Sequence, residues 1–203
     1  MSDTFNPWLS LWTAPRATIR KLVDTDPSYM VLILALAIGA ISGLQGVTEL
    51  IVSGEISENQ MMMKIVGALI GAVVFVLVLY LTGWLYSVVS KWLGGEAPAR
   101  NLRTVAAWGN VPSLVAGILI LICYTFVTKS TDMDAIELLV ALITSFFGIW
   151  QLVILCKMIG EVNGFSAWKG LGVLIISVLL LLAAAVIIGL TIALLAGVLS
   201  LLA

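Results

Sequence analysis

Histidine does not occur anywhere in the 203 residues, which removes imidazole acid–base chemistry and most transition-metal sites together. Ser-His-Asp and Cys-His nucleophile sets are excluded with it. Charge is nearly as scarce, at 10% of the chain against about 25% in soluble globular domains. With 62% hydrophobic residues, the chain could not hide its apolar surface in water, whereas a bilayer removes the need to hide it. The formal net charge of -1 lacks the basic surplus a nucleic-acid binder shows. Cysteine occurs twice, at Cys123 and Cys156. The topology derived below puts them near opposite faces of the membrane, too far apart for a disulfide, and both read as small apolar packers. CxxC, HExxH, P-loop and GxGxxG patterns are all missing, so no metal, cofactor or catalytic site is expected and the chain is not read as an enzyme. The paired carboxylates Glu55 with Glu58 and Asp132 with Asp134 fall in short polar connections, where solvated acids are the default.

What the chain has instead is five apolar runs, near residues 29–52, 65–90, 104–127, 137–159 and 171–195. Each is long enough to cross a hydrocarbon core roughly 30 Å thick. The last run continues without charge to Ala203, and one long or broken helix fits it better than a hairpin, which would need about 40 residues. The expected fold is an all-α integral membrane protein with five transmembrane helices in a domain spanning 28–203. Segment 1–27 precedes it.

Lys and Arg set the orientation. Arg16, Arg20 and Lys21 precede the first span, Lys91, Arg100 and Arg103 fall in the connection between the second and third, and Lys157 and Lys169 flank the connection between the fourth and fifth. The opposite side carries only Lys64 and Lys129. Eight against two, on short loops, predicts a cytoplasmic N-terminus and an external C-terminus.

The first 27 residues read as an amphipathic helix in the headgroup region. Met1–Asp26 has no continuous apolar core, so it is not read as a cleavable signal peptide. Asn6-Pro7 is a helix start, and Pro15 either kinks the helix or divides it into two short ones, Pro7–Thr13 and Pro15–Asp24. Trp8, Leu11, Trp12, Pro15, Ile19 and Leu22 recur at helical steps. Trp8, Trp12, Arg16 and Arg20 are the candidate interfacial anchors, although the same apolar face could pack on the bundle.

Within the spans, small residues recur every four positions, at Ala35, Gly39 and Gly43, at Gly67 and Gly71, and at Gly189, Ala193 and Gly197. Such stripes allow close helix approach. Three polar residues form the candidate lining of the bundle. Asn110 lies beside the helix-kinking Pro112 and can satisfy a backbone group freed there. Gln151 suits an interhelical hydrogen bond, and Glu49 falls near an interface, where a solvated carboxylate is the default.

Several stretches in order resemble the Yip1 domain family. They are NPWLSLWTAPRATIR with Pro15-Arg16 and Ile19-Arg20, LGGEAPARNLRTVAAWGNVP with Gly94, Gly95, Arg103 and Pro112, and IWQLVILCKMIGEVNGFSAWKG with its acidic-Val-x-Gly turn. The resemblance implies a five-span fold with a cytoplasmic N-terminus in a bacterial inner membrane, and it implies no reaction. Eukaryotic relatives are linked to Rab GTPases and membrane shaping. Their aspartate-leucine-tyrosine-glycine-proline motif is not found here, and Rab binding is not carried over.

The expected role is that of a non-enzymatic membrane-organising or protein-interaction factor, with membrane lipids, other membrane proteins or copies of itself as partners. Two alternatives stay open. One is a small transporter or channel lined by Asn110, Gln151 and Glu49, and the other is lipid handling, by scrambling or curvature sensing.

Overall fold

A computed structural model describes residues 5–55, 59–125 and 133–202. Every regular element among them is a helix: α1 Pro7–Thr13, α2 Pro15–Thr25, α3 Val31–Val52, α4 Gln60–Trp92, α5 Ala99–Gly109, α6 Val111–Thr125, α7 Met133–Val162 and α8 Ala167–Leu202. Helices α3, α4, α5 with α6, α7 and α8 make five stretches long and apolar enough to cross a membrane. Their ends lie up to seven residues from the expected boundaries, the largest difference being at the end of α8. Helical hydrogen bonding continues past the apolar run into polar residues, as at Lys91-Trp92, because hydropathy marks the hydrocarbon and not the end of a helix. Glu58, Lys129 and Asp132, and the last two residues of the expected third span, lie outside the described residues.

The N-terminal division falls where the prolines place it. Pro7 opens α1 with the Asn6 side chain accepting from the Trp8 amide at 3.0 Å, and Pro15 opens α2. The hydroxyls of Ser10 and Thr18, 2.8 Å apart, hold the two short helices together. Their apolar face turns into the bundle: Leu11 and Ile19 are fully buried and Leu22 nearly so. Packing on α7 and α5 covers these three residues with protein and leaves Trp8 and Leu9 exposed at the edge of the face.

Helices α3, α4, α8, α7 and α6 form a ring, each packed on the next, with α5 inside it against α3, α4 and α7. The core therefore sits in the half of the bundle nearest the N-terminal helices, around Leu102, Val105, Ala107 and Trp108 of α5, all at 0% exposure. The far half is looser. From Val178 to Leu194 every residue of α8 is exposed.

The glycine stripes of α3 and α4 face each other. A Cβ on Gly39 would meet the Gly71 carbonyl, and one on Gly43 would meet the Gly67 carbonyl. Backbone contact of this kind supplies the van der Waals attraction that lipid tails cannot provide as a hydrophobic drive. Two of the three small-residue stripes are thus consumed inside one chain.

Two turns close the near end together. Gly94 (φ +82°) and Gly164 (φ +70°) adopt the left-handed conformation that glycine reaches without penalty. Asn163 sits between the turns: its amide donates to the Ser90 hydroxyl (3.2 Å) and the Ile159 carbonyl (2.9 Å), and its oxygen accepts from the Ala97 amide (3.2 Å).

Candidate functional site

The third span breaks between α5 and α6 at Asn110, two residues before Pro112. Proline has no amide hydrogen for the preceding turn, and the chain tightens so that the Asn110 amide bonds to the Ala107 carbonyl at 3.3 Å. The Ala106 carbonyl then accepts from the Asn110 side chain at 2.6 Å. From α7, Gln151 donates to the Asn110 side-chain oxygen at 2.7 Å, and its own oxygen accepts from the Ser113 hydroxyl. All three side chains are half-buried. The result is a polar bridge across two helices, closed on itself, at the helix break.

Of the three candidate lining residues, the structure brings Asn110 and Gln151 together and leaves Glu49 apart from them. Glu49 lies in the looser half, in a groove of about 680 Å³ that it shares with Tyr124, Glu137, Thr144 and Ser145. Gln45, one turn before Glu49, comes close to α6 at Gly117. Polar groups therefore recur along the faces of α3, α6 and α7 from the helix break into the groove.

The four candidate anchors divide by chemistry. The Trp8 ring meets Trp108 edge-on at 5.1 Å, and Trp12 meets Phe147 edge-on at 6.3 Å. Trp108 also stacks on Tyr29 at 6.2 Å and donates its indole hydrogen to the Tyr29 carbonyl at 3.2 Å, which meets the polar demand of a buried indole. Arg20 pairs with Glu161 through two contacts of 2.5 and 2.6 Å, and Arg16 approaches the same carboxylate at 3.9 Å. The arginines thus tie α2 to the end of α7. Glu161 and Trp108 were missed in the sequence because their partners lie far along the chain, and only the position of Trp108 near the Asn110–Pro112 break hinted at it. Ser113, three residues after Asn110 on the same helical face, was open to detection by spacing alone.

Hydrogen-bond bridges, ring contacts and an ion pair of this type position helices; none of them assembles a nucleophile with a base. A family model described as Yip1 domain matches residues 9–189. No curated protein and no solved structure matches the chain.

Proposed function

The chain belongs to the Yip1 domain family, and from that premise we propose that it is a non-enzymatic membrane protein that organises its membrane by binding other membrane proteins or copies of itself. In this reading it lies in a bacterial inner membrane, with the N-terminus and the connection around Arg100 in the cytoplasm and the C-terminus outside. The excess of Lys and Arg on one side supports that orientation. Exposed Trp92 and Trp168 at the near end suit an interfacial belt on the same side. Within the segment 1–27, α1 and α2 then form a collar docked on the domain 28–203, with the exposed edge of Trp8 and Leu9 reaching the headgroups.

The observation that carries the interaction role is the outer half of α8. Gly189 sits in mid-helix with nothing within 4 Å of a Cβ built on it, whereas Gly39, Gly43, Gly67 and Gly71 are each used inside the chain. A mid-helix glycine is unfavourable by roughly 0.8–1.0 kcal/mol relative to alanine, and a partner helix that approaches closely at Gly189, Ala193 and Gly197 offsets this. Crosslinking in native membranes, followed by native mass spectrometry from nanodiscs, tests the reading. A stoichiometric partner or second copy is expected, and Gly189→Leu should weaken it without disturbing the monomer. Recovery of the monomer alone would reject the role.

A further inference from the structure

At the near end, α5 carries Arg100 and Arg103 three residues apart, on one helical face. The close packing of α5 on α4 at Gly83, where a Cβ would run into the backbone and stem of Arg103, delivers the Arg103 guanidinium to the exposed ring of Tyr80, 4.6 Å from its centroid. The Arg103 Nε makes one long contact, 3.4 Å to the Ala99 carbonyl, and its two Nη groups have no partner among the described residues. Arg100 donates to the Ser28 hydroxyl at 3.0 Å. The turn holding Ser28 is itself fixed: the buried Thr104 hydroxyl donates to the Pro27 carbonyl, and the Ser28 amide donates to Asp26 at 2.8 Å.

These groups enclose a pocket of about 230 Å³ whose remaining wall is apolar, formed by Val31 and Leu32 at the start of the first span. Leu32 and Ile33 stay exposed beside it. Among the described residues the one acid paired with these arginines, Asp26, lies 3.9 Å from Arg100 and already accepts from the Ser28 amide, so two guanidinium charges face one carboxylate. We infer that the pocket formed by Ser28, Val31, Leu32, Tyr80, Arg100 and Arg103 holds the phosphate of an anionic phospholipid from the leaflet beside the N-terminal helices, with its acyl chains along Leu32, Ile33 and Tyr80. Guanidinium forks match phosphate oxygens in pairs, and a single positive excess at the headgroup level favours an anionic over a zwitterionic lipid. The apolar wall on the membrane side selects a lipid over a water-soluble phosphate. This site is independent of the interaction role of α8.

The test uses the full chain in nanodiscs of phosphatidylcholine with and without phosphatidylglycerol, read by native mass spectrometry for retained lipid. The wild type should retain phosphatidylglycerol in preference to phosphatidylcholine, and Arg100→Gln with Arg103→Gln should lower that retention roughly tenfold or more. Lys64→Gln, at the opposite end of the bundle, should leave it unchanged. Thermal unfolding in phosphatidylcholine alone reports folding separately, and there the double variant should match the wild type. If the double variant does not insert, Arg103→Lys provides the same reading, since it keeps the stem and charge but loses the fork and should retain less lipid. Undiminished retention in the variant, equal retention of phosphatidylcholine, or a bound water-soluble phosphate that inorganic phosphate displaces would each overturn the assignment.

Discussion

Gln151 brings an amide from α7 to the break between α5 and α6, and the side chains of Asn110, Ser113 and Gln151 there depend on one another. Replacing it with leucine leaves the Asn110 oxygen and the Ser113 hydroxyl without their interhelical partner. Gln151→Leu is therefore expected to destabilise the bundle by about 1–2 kcal/mol, measured by reversible unfolding in micelles. In a cycle with Ser113→Ala, the two substitutions should fall short of additivity by about 0.6 kcal/mol, because they share one hydrogen bond. Half of this arrangement was legible in the sequence. Pro112 announces a missing amide hydrogen and Asn110 can fill in for its consequences, since both effects are local. The pairing with Gln151, 41 residues away, depends on how two helices are rotated about their axes, and hydropathy does not record rotation.

The helices themselves were readable, though with ends up to seven residues off, because apolar length and proline position act locally. Which faces meet was less so. The glycine stripes marked close approach but not its partner, and the sequence served self-association and internal packing equally well. Internal packing takes the stripes of α3 and α4, where backbone meets backbone and neither side has a flexible end to move. Gly43→Ala should therefore lower the apparent melting temperature clearly, at a cost of about 1–3 kcal/mol from overpacking. Gly46→Ala, on the same helix with nothing within 4 Å of its Cβ, should be neutral or stabilising by up to about 1 kcal/mol through helix propensity. Opposite signs from two glycines one turn apart would identify contact, and not composition, as the cause. Equal losses would contradict the packing described. The amphipathic N-terminal helices teach the same lesson, since period alone finds an apolar face and cannot say whether lipid or protein covers it. Here Leu11, Ile19 and Leu22 are covered by protein.

At the scale of the molecule, the count of Lys and Arg makes a claim that fusion reporters can check directly. Alkaline phosphatase fused after Ala203 should be active, and a green fluorescent protein fused there in its place should be dark, with the reverse pattern at residues 94–97. The opposite outcome at both sites would invert the orientation. The uneven packing of the two halves was not legible beforehand, because the apolar runs have similar strength along their whole length. It arises where small residues, prolines and turns allow α5 to enter the ring at one end only.

The link between the two near-end turns also sets a timetable. Ala97 cannot bond Asn163 until a further 66 residues have been made, which at about 5–20 residues per second takes roughly 3–13 s. The glycine-packed hairpin of α3 and α4 needs nothing synthesised after Trp92 and can assemble first. The arginine-bearing connection then waits at the membrane surface, its latch unmade, while the rest of the chain is threaded. Biogenesis of this protein thus passes through a seconds-long stage in which half the bundle is built and the other half has yet to leave the ribosome.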